Sequence, residues 1–124
     1  GIAEQTTFTG FRPNSEMGAF MSLAEVLDSP RIVGGNTPLK LYSYMAAEKA
    51  LVATNIKAHN TVLDETCAYL AEADDFAEAM QRALEDSEER TDRIAKAKAL
   101  VETSYSRDSF SRRLKKLYLD VLGV

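Results

Sequence analysis

Basic charge is in short supply in this chain, cysteine and histidine more so, and each shortage closes a route. Fifteen Lys and Arg stand against nineteen Asp and Glu, a net charge of −4, and the isoelectric point lies near 5.0. No broad basic face for nucleic acid is expected, because an acidic chain exerts no pull on a phosphodiester polymer. The one cysteine, Cys67, has no partner for an internal disulfide. It sits in the apolar run "CAYLAEA" and reads as a buried, reduced, structural thiol, which suits a cytoplasmic address. The one histidine, His59, has no second His or Cys for metal or Cys–His chemistry. No apolar run reaches the roughly 18 residues of a membrane span. The opening "GIAEQTTFTG" lacks the basic and apolar regions of a signal peptide. Internal repeats and low-complexity stretches are missing too.

What is present is enough for one domain with a real core: 124 residues, 45% hydrophobic and 27% charged. The first half alternates short strands and helices. "TTFTG", residues 6–10, reads as a strand closed by Gly10. Pro13 opens a turn, and Ser15 is placed to cap a helix over Glu16–Ser22. "AEVLDSP" is a second strand, stopped by Pro30. The glycine-rich "IVGGNTP" is a loop. Pro38 suits the first helical position of "PLKLYSYMAAEK", with Asn36 or Thr37 as cap. On that helix Leu41, Tyr44, Met45 and Lys49 are expected to face the sheet, with Tyr42 and Ser43 turned elsewhere. "ALVATNI" is a third strand, apolar enough for a parallel strand covered on both faces.

The second half reads as helical. In "DDFAEAMQRALED" the residues Phe76, Ala79, Met80, Ala83 and Leu84 share a face, with Asp74 or Asp75 as cap. A second helix covers about Glu88–Tyr105, with Ile94, Ala97, Val101 and Tyr105 in register. A third covers Asp108–Leu122, with Phe110, Leu114, Leu117, Val121 and Leu122 as a long stripe and Gly123 placed to end it. This order points to an α/β fold: a partial Rossmann-like parallel sheet flanked by helices, with a helical C-terminal half.

Ligands of open α/β sheets bind outside the carboxyl ends of strands, where the Gly34–Pro38 loop falls. Gly34 and Gly35 allow close backbone approach. Unpaired N–H groups at the start of the Pro38 helix favour a diphosphate, and Lys40 adds a full charge. Because Pro38 has no N–H, Leu39, Lys40 and Leu41 are left to supply the backbone contacts. An ordinary loop-to-helix junction with a solvated Lys40 has the same spacing. The GxxxxGK[ST] spacing of a Walker loop is missing.

Six pieces in order resemble the C-terminal half of GT-B fold glycosyltransferases, the retaining group 1 or family 4 enzymes. They are "TFTGFRP", "LAEVLDSPR", "NTPLKLYSYMAAEKALVATNI", "VLDE", "AYLAEADDFAEAMQRALED" and "AKALVETSYSRDSFSRRLKKLY". The resemblance implies a nucleotide-diphosphate sugar donor at the loop. Asn36, Thr37, Pro38 and Leu39 would lie against its sugar and diphosphate, Lys40 near the phosphates, and Arg12 near the base. Ser43 falls where many members carry a ribose-binding glutamate, and Gly35 where many carry an earlier glutamate. Glu48 replaces a usual glycine, so that helix end either avoids positive φ or tolerates strain, and Ala50 replaces a proline.

The same resemblance implies two domains with the reaction between them, so residues 1–107 read as an incomplete donor-binding domain. Residues 108–124 read as a helix that packs on an absent N-terminal acceptor domain. Without that domain its stripe would pack loosely or self-associate, and membrane contact would come only through the absent half. Transfer of a hexosyl group to an acceptor hydroxyl would need no cofactor and no metal, and the piece alone would be inactive; no catalytic base is evident. Two other readings stay open. One is a non-catalytic module that holds a nucleotide or a partner helix. The other is an unrelated flavodoxin-like domain.

Overall fold

The computed structural model describes residues 1–124. Nine elements organise it: α1 (Met17–Leu23), β1 (Val26–Ser29), α2 (Lys40–Ala46), β2 (Ala50–Thr54), α3 (Lys57–Asn60), β3 (Tyr69–Ala71), α4 (Phe76–Glu85), α5 (Ser87–Ser104) and α6 (Arg107–Leu122). The strands form one parallel sheet in the order β1-β2-β3.

β2 is buried at all five positions, as its unbroken apolar run requires. Alternate side chains of a strand face opposite ways, and two cores follow. Leu51 and Ala53 pack with Leu41 and Met45 of α2 and with Ala97 and Val101 of α5. Ala50 and Val52 pack with Tyr69 of β3 and with Ala79 and Ala83 of α4. The sheet is thus covered on both faces, as parallel sheets are. Cys67 belongs to the first core and is a free thiol.

Several expectations need correction. Residues 6–10 form no strand; Phe8 is 94% exposed. Residues with strand propensity make a strand only where an edge accepts their backbone bonds, and this segment pairs with none. The third strand is β3 instead, in a stretch read as leading into α4. α2 starts at Lys40 and spans only seven residues, and no side chain caps it. Pro38 enters as the carbonyl acceptor of a turn, bonded by Leu41 N–H at 3.1 Å. Asp75 borders α4 but its carboxylate caps nothing. Tyr42 does not turn away; it packs on the first core, its ring 5.1 Å from that of Tyr105.

The C-terminal helices follow the sequence closely. The Asp86 carboxylate accepts the Glu89 N–H to start α5, and the Ser106 hydroxyl accepts the Ser109 N–H to start α6. Gly123 ends α6 at φ +71°. The apolar stripe of α6 is open: Phe110, Leu117, Val121 and Leu122 are all exposed. No helix is long and apolar enough to cross a membrane.

Glu48, just past α2, is the only non-glycine residue at positive φ, +57°. A left-handed L-residue costs about 1–2 kcal/mol, while its ion pair with Lys98 is exposed and screened by solvent. Glu48→Gly is therefore expected to raise unfolding free energy by about 0.5–1 kcal/mol in urea titrations, and Lys98→Ala to change it little. Burial pushes the Cys67 thiol up. Iodoacetamide should label it slowly in the native protein and rapidly in denaturant, followed by mass spectrometry.

Candidate functional site

The chain leaves β1 at Ser29 and crosses the carboxyl edge of the sheet as residues 30–39 before α2. Beneath this crossing lies a buried polar knot. His59 is completely buried. Its Nδ1 stands 2.8 Å from the Thr54 carbonyl oxygen, and its Nε2 stands 3.0 Å from Ser29 Oγ. A carbonyl only accepts, so Nδ1 carries the proton and the Ser29 hydroxyl donates to Nε2. The Thr54 hydroxyl donates to the carbonyl oxygen of Arg31. Three side chains from β1, β2 and α3 thereby tie down the first residues of the loop.

Above the knot the loop is open to solvent. Ile32 to Asn36, Leu39, Lys40 and Ser43 are exposed, and Thr37 and Pro38 are half-buried. The N–H groups of residues 32–37, Leu39 and Lys40 have no backbone acceptor in the fold. Leu41, expected to offer an N–H, spends it on Pro38. Leu39 and Lys40 keep theirs. The Lys40 ammonium stands 3.4 Å from the Asp28 carbonyl oxygen and 5.6 Å from the centre of the Tyr44 ring. Burial, with the Asp28 carboxylate second, pushes the Tyr44 hydroxyl up, so it stays a neutral donor.

The structure thus brings Gly35, Asn36, Thr37, Pro38, Leu39, Lys40 and Ser43 onto one short, accessible stretch. Arg12 is not drawn into it. Its guanidinium bonds Glu16 at 2.6 Å and lies 5.9 Å from the centre of the Phe20 ring, within its own exposed segment. Arg31 escapes a reading of spacing, yet its side chain bonds the backbone and side-chain oxygens of Asn36. The motif "SPR" before a glycine-rich loop is the one signal that points to it. Nowhere do three or more His, Cys, Asp or Glu side chains gather as metal ligands.

A parallel sheet covered by helices on both faces, with an accessible, N–H-rich loop outside its strand ends, has the α/β layout in which ligands bind at that edge. The comparisons narrow the class. Residues 1–86 match the family described as Glycosyl transferases group 1, and the chain belongs to that family.

The fold is similar to sucrose-phosphate synthase from Thermosynechococcus elongatus, with TM-score 0.81 at 20% identity over 98% of this chain and 31% of that one. It is also similar to the C-terminal domain of a glycosyl transferase group 1 family protein, LpcC, from Francisella tularensis. That match has TM-score 0.69 at 19% identity, over 81% of this chain and 53% of that one. The chain therefore spans about a third and about half of these two structures, and its sheet and flanking helices are those of a GT-B C-terminal domain. No curated protein matches it.

Thr54→Val keeps the shape but removes the donor to the Arg31 carbonyl and leaves the His59 cluster short of a partner. A loss of about 1–2 kcal/mol in denaturant titrations is expected.

Proposed function

We propose that this chain is the donor-binding half of a glycosyltransferase, which passes a hexosyl group from a nucleotide-diphosphate sugar to an acceptor hydroxyl. The observation that carries the reading is the exposed stretch at the carboxyl edge of the sheet, with free N–H groups up to Lys40 and a lysine at its end, in a chain of the group 1 family. In such a transfer the departing diphosphate gains charge. Fixed N–H donors and an ammonium stabilise that charge more in the transition state than in the ground state. Asn36 to Leu39 would line the sugar and diphosphate, Ser43 would meet the ribose, and Arg12 would reach the base by leaving Glu16. The short α2 contributes little dipole, so the contacts fall to the loop.

The acceptor and the second wall of the cleft would come from a preceding domain, and the open face of α6 is suited to pack on it. On this reading the chain alone binds and does not transfer. The reading of a non-catalytic nucleotide-binding module draws on one observation: the lone histidine is fully buried in the knot, so no imidazole is available as a base.

Titration of the protein with UDP and with GDP, followed by amide shifts, tests the proposal. Shifts concentrated at Gly34 to Ser43 are expected with one of the two, and shifts elsewhere or nowhere would sink it. Lys40→Ala should weaken that binding by about 1 kcal/mol, near fivefold, since Lys40 is exposed. Sugar transfer after a preceding domain is supplied would separate the enzyme from the module.

A further inference from the structure

We propose that Arg31 is the positioning residue of this loop, holding the Gly34–Asn36 backbone in its binding arrangement before any ligand arrives. The inference rests on the donor-site reading above. Three observations meet at this side chain. Its Nη1 donates to the Asn36 carbonyl oxygen at 3.1 Å and its Nη2 to Asn36 Oδ1 at 3.2 Å. A planar guanidinium spans two oxygens of one residue, which a lysine ammonium does not reproduce.

The second observation is Gly34, at φ +148°. A Cβ there would stand 2.5 Å from Arg31 Cζ and Nε and 2.8 Å from Nη2. The guanidinium lies where a Cβ at position 34 would point, and the backbone there takes a φ that L side chains rarely adopt, so an alanine would strain the turn and push the Arg31 tip aside. Gly35, by contrast, has open space at its Cβ.

The third is the anchor. The Arg31 carbonyl accepts from the Thr54 hydroxyl, and the Thr54 carbonyl accepts from the fully buried His59. The latch therefore springs from the rigid end of the sheet. Arg31 forms no ion pair with any Asp or Glu of the chain, so its fork is committed to the loop.

A stretch with two adjacent glycines and no backbone acceptor for its N–H groups would otherwise lose much conformational freedom on binding. Ordering it beforehand removes that loss from the binding equilibrium. Lys40 supplies charge to the site, and Arg31 supplies shape.

The test compares wild type, Arg31→Ala, Arg31→Lys and Gly34→Ala by amide order parameters without ligand and by UDP and GDP affinity. Arg31→Ala and Arg31→Lys should both lower the order parameters of Gly34 to Asn36 and keep the melting temperature, because the side chain lies outside both cores. Both should weaken binding by about five- to tenfold. Gly34→Ala should weaken it similarly alone and add little on top of Arg31→Ala. Full rescue by Arg31→Lys would show that charge alone suffices and overturn the proposal, as would wild-type affinity in Arg31→Ala. Either result leaves the donor site standing. Failure of both nucleotides to move the loop amides of wild type would remove the donor site, and this inference with it.

Discussion

The central strand β2 must bury both of its faces and pair both of its edges, and most of the architecture answers to that demand. A backbone with no access to water requires a hydrogen-bond partner for each N–H and C=O. β1 and β3 supply them, in parallel. Parallel neighbours need crossovers, and the crossover helices lie on the faces. α2 and α5 close one face and α4 the other. The same geometry sends the chain out of β1 at the carboxyl edge, so the loop is where it is because β2 is buried.

The polar knot extends this logic from the sheet to the site. Where β1 and β2 end, their last side chains, Ser29 and Thr54, are buried and polar. Buried hydroxyls need partners, and His59 satisfies both while Thr54 turns its proton to the Arg31 carbonyl. The packed interior thus passes its rigidity to the first residues of an otherwise exposed loop. Above it the Lys40 ammonium is aimed back at the strand end, and the Arg31 guanidinium folds over Gly34 onto Asn36.

Surfaces at the two ends of the chain have a different character. Phe8 and Phe11 near the start, and Phe110, Leu117 and Val121 on α6, carry large apolar side chains in solvent. The structural relatives are about twice and three times as long as the region they share with this chain. Large apolar side chains are open elsewhere too, at Leu23, Ile32, Val33 and Leu39, but only on α6 do they form a helical stripe.

What the sequence by itself determined is local. The apolar run of β2, the registers of α5 and α6, the stop at Gly123, the burial of Cys67 and the accessible glycine loop all follow from neighbours in the chain. So did the family, through short pieces in order. Tertiary structure decided the rest. "TTFTG" has every local mark of a strand and finds no edge, while the three residues of β3 have few such marks and find one. Glu48 sits in left-handed backbone because α2 must turn into β2 there. Arg31 and His59 gained their roles from partners 5 to 30 positions away. A strand exists by pairing and a latch by contact, and both are relations that folding creates between distant residues.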